Sequence, residues 1–146
     1  MNSIKLEKNI SLSNFTTWGI GGPAEWIAQP KNIEELKYVI NWTNKKKIPC
    51  SVIGAGSNLL INDKGIKGLS LCMRNFKGIE IDKNNGIIEV LSGEMLPTLA
   101  RKAAASGLHG FEWAVGIPGT IGGAVVMNAG AQEHCMSSYL ESITTL

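Results

Sequence analysis

Two glycine-rich stretches hold the residues best suited to chemistry in this chain. The first is Gly54-Ala55-Gly56-Ser57-Asn58, which directly follows the apolar run Cys50-Ser51-Val52-Ile53. Successive backbone N–H groups in such a loop can close around an anion, and the Ser57 hydroxyl and Asn58 amide can add donors. The dinucleotide fingerprint G-x-G-x-x-G is left incomplete, because Leu59 stands where the third glycine belongs. The following segment also reads as a strand rather than a helix. A P-loop is excluded, since no Gly-Lys-Ser/Thr is present. On their own, these five residues suit a tight turn as well as a phosphate cradle.

The second stretch is Gly116-Ile117-Pro118-Gly119-Thr120-Ile121-Gly122-Gly123, which opens a run that ends at Asn128-Ala129-Gly130-Ala131. Ile121, Val125 and Asn128 recur at helical spacing, so much of this run reads as helix. Gly119, Gly122 and Gly123 then stand at i, i+3 and i+4, on one helix face. A glycine inside a helix costs about 1 kcal/mol against alanine. Three ask for about 3 kcal/mol, a large fraction of a small domain's net stability. Either a ligand lies flat against that face, or another element packs there closely. Gly116, Ile117 and Pro118 lead to a helix start with Thr120 in the first turn. Free N–H groups and the positive dipole end there favour an anion. Two such elements in one small domain point together to a diphosphate-bearing ligand.

The other reactive side chains form no such pattern. His109 and His134 lack metal-ligand spacing and read as surface or structural residues. Glu94, Glu112 and Glu133 are isolated carboxylates rather than an acid/base pair. Trp18, Trp26, Trp42 and Trp113 read as packing residues, with Trp113 set apart because it precedes the second stretch. Cys50, Cys72 and Cys135 are odd in number and lack Cys-x-x-Cys spacing, against a disulfide framework or a zinc site. Cys50 and Cys72 lie in apolar runs and read as small buried hydrophobes. A net charge of +2 from 14 basic and 12 acidic residues argues for neither nucleic acid nor a membrane surface. The basic run Lys45-Lys46-Lys47 falls where a helix should end and can satisfy its last carbonyls. The start shows no apolar signal segment, and no apolar run is long enough to span a bilayer, so the expected compartment is the cytoplasm.

The elements that must position the two stretches follow from pattern. Residues 1–14 are polar and read as a loosely attached lead-in. A turn around Gly19, Gly21, Gly22 and Pro23 leads to a strand through Trp26 and Ile27. Asn32 and Glu35 form a capping box before a helix whose face is Ile33, Leu36, Val39, Ile40 and Thr43, ending before Pro49. Short strands are expected at 50–54, at 59–62 and over Leu69-Ser70-Leu71-Cys72-Met73. The Asn85-Gly86 signal makes a hairpin of residues 79–82 and 87–91. Pro97 opens a helix with apolar face Leu96, Leu99, Ala100 and Ala103, stopped by Gly107. A last strand is expected at 139–146. It runs to the final residue with no turn or polar tail, so residues 1–146 read as the front of a longer protein. The element order is mixed α+β, not a regular βαβ alternation.

At "NFTTWGIGGPAEW", "VIGAGSNLLI" and "GFEWAVGIPGTIGGAVVMNAGA", in this order and spacing, the sequence resembles the UDP-N-acetylenolpyruvoylglucosamine reductase family. The resemblance extends from about Asn14 to Leu146. The first glycine motif is shared by many relatives of the same flavin fold, and the second is far more specific. The resemblance implies an α+β FAD-binding domain of the vanillyl-alcohol-oxidase/PCMH type, with FAD between two α+β subdomains. These would be residues 15–75 and an incomplete 76–146, with the substrate-binding domain outside the chain. It implies that Gly54, Ala55, Gly56, Ser57, Asn58 and Leu59 bind FAD from one side. Gly116, Ile117, Pro118, Gly119, Thr120, Gly122, Gly123, Asn128, Ala129 and Gly130 would line the other side and the flavin. It further implies NADPH as reductant and UDP-N-acetylglucosamine enolpyruvate as substrate, converted to UDP-N-acetylmuramate for peptidoglycan synthesis. The family's catalytic serine, glutamate and substrate-orienting arginine would fall after Leu146, leaving this chain without catalytic residues or a metal. Gln132-Glu133-His134 departs from the family pattern after the "NAGA" string. Another oxidase or dehydrogenase of the same fold, or a non-catalytic nucleotide-binding module, are the alternative readings.

Overall fold

The computed structural model describes residues 4–146. They form two compact units, one ending at Phe76 and the other beginning at Lys77. The first contains β1 (Glu7–Ser11), β2 (Pro23–Ala28), α1 (Ile33–Lys46), β3 (Cys50–Ile53) and β4 (Ile66–Cys72). They make one sheet in the order β1-β2-β4-β3. β4 is central and runs parallel to both β2 and β3, while β1 pairs antiparallel on the edge at β2.

Both faces of this sheet are covered, which is why β4 is buried without alternation from Gly68 to Cys72. Leu69 and Leu71 join Ala28, Met73 and Phe76 in a core with Leu36 and Val39 of α1. On the alternate positions, Ala24, Ile27, Ile53 and Cys72 pack with Leu12 and Ile61. α1 begins where its cap predicts: the Glu35 N–H donates to Asn32 Oδ1 at 2.9 Å. Glu35 returns the contact one residue earlier than a capping box requires, accepting from the Lys31 N–H at 2.8 Å. The helix stops at Lys47, whose left-handed backbone lets its N–H reach the Thr43 and Asn44 carbonyls ahead of Pro49.

The second unit contains the hairpin β5 (Ile79–Asp82) and β6 (Ile87–Val90), then α2 (Leu96–Ala105) and α3 (Ile121–Val126). A small hairpin of β7 (Gly130–Ala131) and β8 (His134–Cys135) follows. The expected face of α2, Leu96, Leu99, Ala100 and Ala103, is buried throughout. Its first three members pack with Trp113, Ala114, Ile121, Ala124 and Met136. In the first hairpin's turn, the Asp82 carboxylate accepts from the Asn85 side chain and from the backbone N–H groups of Asn84 and Asn85. Those bonds, that of the Asn85 side chain foremost, hold its carboxyl below the usual range.

Four expectations are corrected. The described part of the lead-in, residues 4–14, is anchored on the sheet: β1 pairs with β2, and Leu12 just after it is 0% exposed; residues 1–3 of that expectation lie outside the described residues. Residues 59–62 form no strand. The Asn62 carbonyl accepts instead from the N–H groups of Gly22 and Gly65, and Leu60 is 79% exposed. Residues 140–146 are exposed and have no regular structure. Cys50 is exposed, since its strand lies at the sheet edge; Cys72, on the central strand, is buried as expected. The first correction is testable. Leu12→Ala should cost about 2–5 kcal/mol, as for other fully buried leucines. Urea denaturation followed by circular dichroism measures this, and an unchanged midpoint would restore the loosely attached lead-in.

Candidate functional site

The first glycine loop leaves the C-terminal end of β3, an end of parallel strands where ligands commonly bind in open α/β sheets. Its backbone is tied down by its carbonyls. Ile53 of β3 is in register with Cys72 of β4, so Gly54 and the residues after Cys72 emerge side by side. Arg74 stands there, in the short 3₁₀ turn Met73–Asn75. Its Nε donates to the Gly54 carbonyl at 3.1 Å and its Nη2 to the Ala55 carbonyl at 2.5 Å. Its Nη1 reaches the Asn14 carbonyl at 3.0 Å. The Gly56 carbonyl accepts from the Thr17 N–H at 3.3 Å. Gly56 is buried at φ +72°, and a Cβ there would overlap the Phe15 carbonyl. In a trans peptide the C=O and the next N–H point in opposite directions. Holding the carbonyls of 54, 55 and 56 therefore turns the N–H groups of Ala55, Gly56 and Ser57 away from the groups that hold them. Asn58 is exposed beyond them, and Leu59 is half-buried against the Leu12 and Ile61 cluster. Arg74 escaped the sequence reading; its only signal was a lone arginine two residues past an apolar strand.

The second stretch departs from the expected single glycine face. Gly116 ends a 3₁₀ turn, Glu112–Gly116, and is exposed. Ile117 is half-buried against the second unit's core, and Pro118 is exposed. Gly119, buried at φ +147°, precedes the helix, and its carbonyl accepts from the Leu96 N–H at 2.9 Å. Thr120 is the N-cap rather than a first-turn residue. Only Gly122 and Gly123 lie inside α3, and neighbours on a helix are about 100° apart. Their surroundings differ. A Cβ on Gly122 would stand 2.9 Å from Ser92 Cβ and 3.2 Å from the Ser92 carbonyl oxygen. Gly123 is exposed, and a Cβ there would meet only Thr120 Oγ1, at 3.5 Å. The expected free donors at the helix start are also engaged: Ile121 N–H donates to the Glu94 carbonyl at 2.8 Å and Gly122 N–H to the Ser92 carbonyl at 2.9 Å. Two buried polar atoms nearby in sequence, Thr120 Oγ1 and Trp113 Nε1, have no protein partner among the described residues.

After α3 the chain turns sharply. Asn128 takes the left-handed conformation at φ +43°, and its Oδ1 accepts from the Ser137 N–H at 2.9 Å. The Ala129 N–H donates to the Ala124 carbonyl, and Gly130 begins β7 opposite Cys135. The departure Gln132-Glu133 forms the two-residue turn of this hairpin, with φ of +53° and +66°. Such turns need positive φ at both central residues, usually supplied by Asn-Gly. His134 Nδ1 is 3.0 Å from the Tyr139 hydroxyl. His109 is exposed, with Glu112 at 3.9 Å, and no metal-holding cluster occurs among the described residues. Trp26 and Trp42 pack edge to face, and Trp113 is buried, as packing residues should be; Trp18, at 69% exposure, is not one. Cys135 sits 3.2 Å from Ser137 Oγ and 3.6 Å from Ser138 Oγ, hydrogen bonds that lower its thiol pKa to about 7.

The fold and the first loop define an α+β FAD-binding domain of the vanillyl-alcohol-oxidase/PCMH type. The family model described as "FAD binding domain" matches residues 24–146, and the chain belongs to that family, whose cofactor is FAD. The chain is 99% identical over all 146 residues to the UDP-N-acetylenolpyruvoylglucosamine reductase of Prochlorococcus marinus (strain NATL2A), covering 50% of that protein. It is 58% identical to the reductase of the same name from strain MIT 9313, covering 48% of it. The chain thus spans about half the length of the curated relatives it matches. The crystal structure of UDP-N-acetylenolpyruvylglucosamine reductase from Thermus caldophilus superposes with a TM-score of 0.72 at 34% identity, over 92% of this chain and 46% of that one. Aclacinomycin oxidoreductase shares the fold at a TM-score of 0.63 and 14% identity, over 88% of this chain and 27% of its own. No described helix is long and apolar enough to cross a membrane.

The FAD-binding assignment fits two features of this structure. The carbonyls of Gly54, Ala55 and Gly56 are held, and the N–H groups that follow them are turned away from the groups that hold them. Thr120 also keeps a buried, unpartnered hydroxyl beside the open side of Gly123.

Alanine separates the two helical glycines. Gly122→Ala should destabilise by about 1–3 kcal/mol, because the Ser92 backbone cannot yield cheaply. Gly123→Ala should stabilise by about 0.4–1 kcal/mol through helix propensity and a less disordered unfolded state. Thermal denaturation of both apo variants measures this, and equal losses would return the pair to one packed face. Cys135 should also alkylate first. Its thiolate forms with a midpoint about pH 7, whereas desolvation raises the thiols of Cys72 and Cys50. Iodoacetamide labelling read by peptide mass should show Cys135 modified at neutral pH and a rate rising through pH 7. Equal labelling of Cys50 and Cys135 at pH 7 would contradict it.

Proposed function

We propose that this chain is the FAD-binding part of a UDP-N-acetylenolpyruvoylglucosamine reductase. One observation carries the reading: near-identity over the whole chain to a protein of that name. The enzyme would convert UDP-N-acetylglucosamine enolpyruvate to UDP-N-acetylmuramate with NADPH as reductant, in the cytoplasmic stage of peptidoglycan synthesis that precedes wall growth and division. Bound FAD supplies the hydride-transfer chemistry.

The chain's own residues then bind and orient. Ala55, Gly56, Ser57 and Asn58 offer donors to the diphosphate, with Gly54 and Leu59 closing the loop. Gly116, Ile117, Pro118, Gly119 and Thr120 form the second cofactor-binding segment, now without the first two helix N–H groups as donors. Gly123 admits the flavin where a side chain would stand, and Asn128, Ala129 and Gly130 continue that surface. The unit ending at Phe76 and the unit beginning at Lys77 each carry one glycine-rich element, and we assign them as the family's two FAD-binding subdomains. The proton donor and the groups that hold the UDP moiety belong to the part of the reductase beyond these 146 residues.

The test uses the full-length protein. Purified, it should show flavin absorbance and oxidise NADPH only when the enolpyruvyl substrate is added. Gly123→Val should weaken FAD binding at least about tenfold, or about 1.4 kcal/mol, while the apo melting temperature stays near that of the wild type. Lost stability with unchanged flavin affinity would assign Gly123 to packing. Absence of flavin after incubation with excess FAD would end the cofactor reading.

A further inference from the structure

We infer that Arg74 is a positioning residue for cofactor binding, acting through the backbone of the 54–58 loop. The inference rests on the reading that this loop holds the diphosphate of FAD. Three observations support it. First, one guanidinium bridges two chain segments, taking the carbonyls of Gly54 and Ala55 from the loop and of Asn14 from the segment before β2. That use needs a rigid fork of donors, which arginine has and lysine lacks. Second, the carbonyls it takes set the direction of the loop's N–H groups. With Gly54 and Ala55 carbonyls turned to Arg74, the N–H groups of Ala55 and Gly56 must point the other way. Arginine thereby orders a nest of donors that glycines alone would leave free to rotate, since glycine backbone is the most mobile.

Third, the charge itself is not neutralised. Among the described residues no carboxylate forms an ion pair with Arg74; its neighbours include the Phe15 ring, 5.6 Å from the guanidinium carbon, and the buried Cys72 thiol, whose pKa desolvation raises. A half-buried cation with no paired carboxylate leaves a positive field around the loop. An anion held by the loop gains from that field, which surface counterions screen less than they would an exposed lysine. Arg74 therefore stabilises the bound diphosphate twice, by pre-ordering the donors and by its charge, without touching the ligand.

The experiment compares FAD with riboflavin, which lacks the diphosphate, on the full-length apo protein. Flavin fluorescence gives both dissociation constants for wild type, Arg74→Met, Arg74→Lys and Asn58→Asp, and melting of each apo protein is recorded beside them. Arg74→Met should weaken FAD by about tenfold or more and leave riboflavin unchanged. Arg74→Lys should recover part of the loss, since it restores the charge but not the fork. Asn58→Asp sets a negative charge in the loop and should lower the preference for FAD as well. If Asn58→Asp lowers the preference but both Arg74 variants keep it, the loop reading stands and Arg74 is only a structural clamp. If Asn58→Asp also leaves the preference unchanged, the loop does not hold the diphosphate, and the inference falls with that reading. Should Arg74→Met fail to fold, Arg74→Lys decides by the same ratio, because a loss of packing alone lowers melting without separating FAD from riboflavin.

Discussion

The parallel pairing of β3 with β4 is the constraint from which the arrangement of the first glycine loop follows. β4 is buried on both faces and hydrogen-bonded on both edges, so its position is the most determined in the sheet. A parallel neighbour cannot be joined by a tight turn and needs a crossover. Residues 54–65 supply it between β3 and β4, while α1 joins β2 to β3, and its Leu36 and Val39 close one face over Leu69 and Leu71. The register Ile53↔Cys72 then brings the two strand ends level. Gly54 leaves one strand and Arg74 follows the other within hydrogen-bonding reach. A slip of that register by one residue would reverse every side chain on the strand and move the guanidinium off the loop. Packing in the core thus determines which way the loop's donors point.

How much of this was legible depends on whether the determining contacts are local. α1 and α2 were readable because their apolar spacing and caps are carried within the segment: Asn32, Pro97 and Gly107 act on their own neighbours. The β5–β6 hairpin was readable from Asn85-Gly86 for the same reason. β1 was not, because "EKNIS" is polar and its strand is held by partners on β2. Residues 59–62 failed in the opposite direction. Leu59, Leu60 and Ile61 look like a strand, but turn contacts take their neighbours' hydrogen bonds and only Ile61 is buried. Both glycine stretches were located by pattern, whereas Arg74 was invisible, because its role exists only after distant segments have met.

The glycines show why composition marks a site but does not apportion it. Gly56 and Gly122 are required by the protein's own backbone, at the Phe15 carbonyl and at Ser92. Neither needs a ligand to explain it. Gly123 is different: nothing except the Thr120 hydroxyl stands near it, and its helical position would be steadier with alanine by about 1 kcal/mol. Asn128, Gln132 and Glu133 are non-glycine residues at positive φ within a short span. The two-residue β7–β8 turn demands it of Gln132 and Glu133, and asparagine adopts it more readily than most residues. Proteins are locally consistent except where function overrides stability, so unforced departures are informative and forced ones are not. By that criterion Gly123 is the glycine of the second stretch that the protein's own packing leaves unexplained, while Gly122 is fixed by its approach to Ser92. The same criterion separates Gly56 from Asn58 in the first loop: Gly56 is buried against Phe15, and Asn58 stands exposed beyond the ordered N–H groups. A glycine motif of this kind is therefore two overlapping requirements written in one residue type, and the neighbour of each absent Cβ distinguishes them.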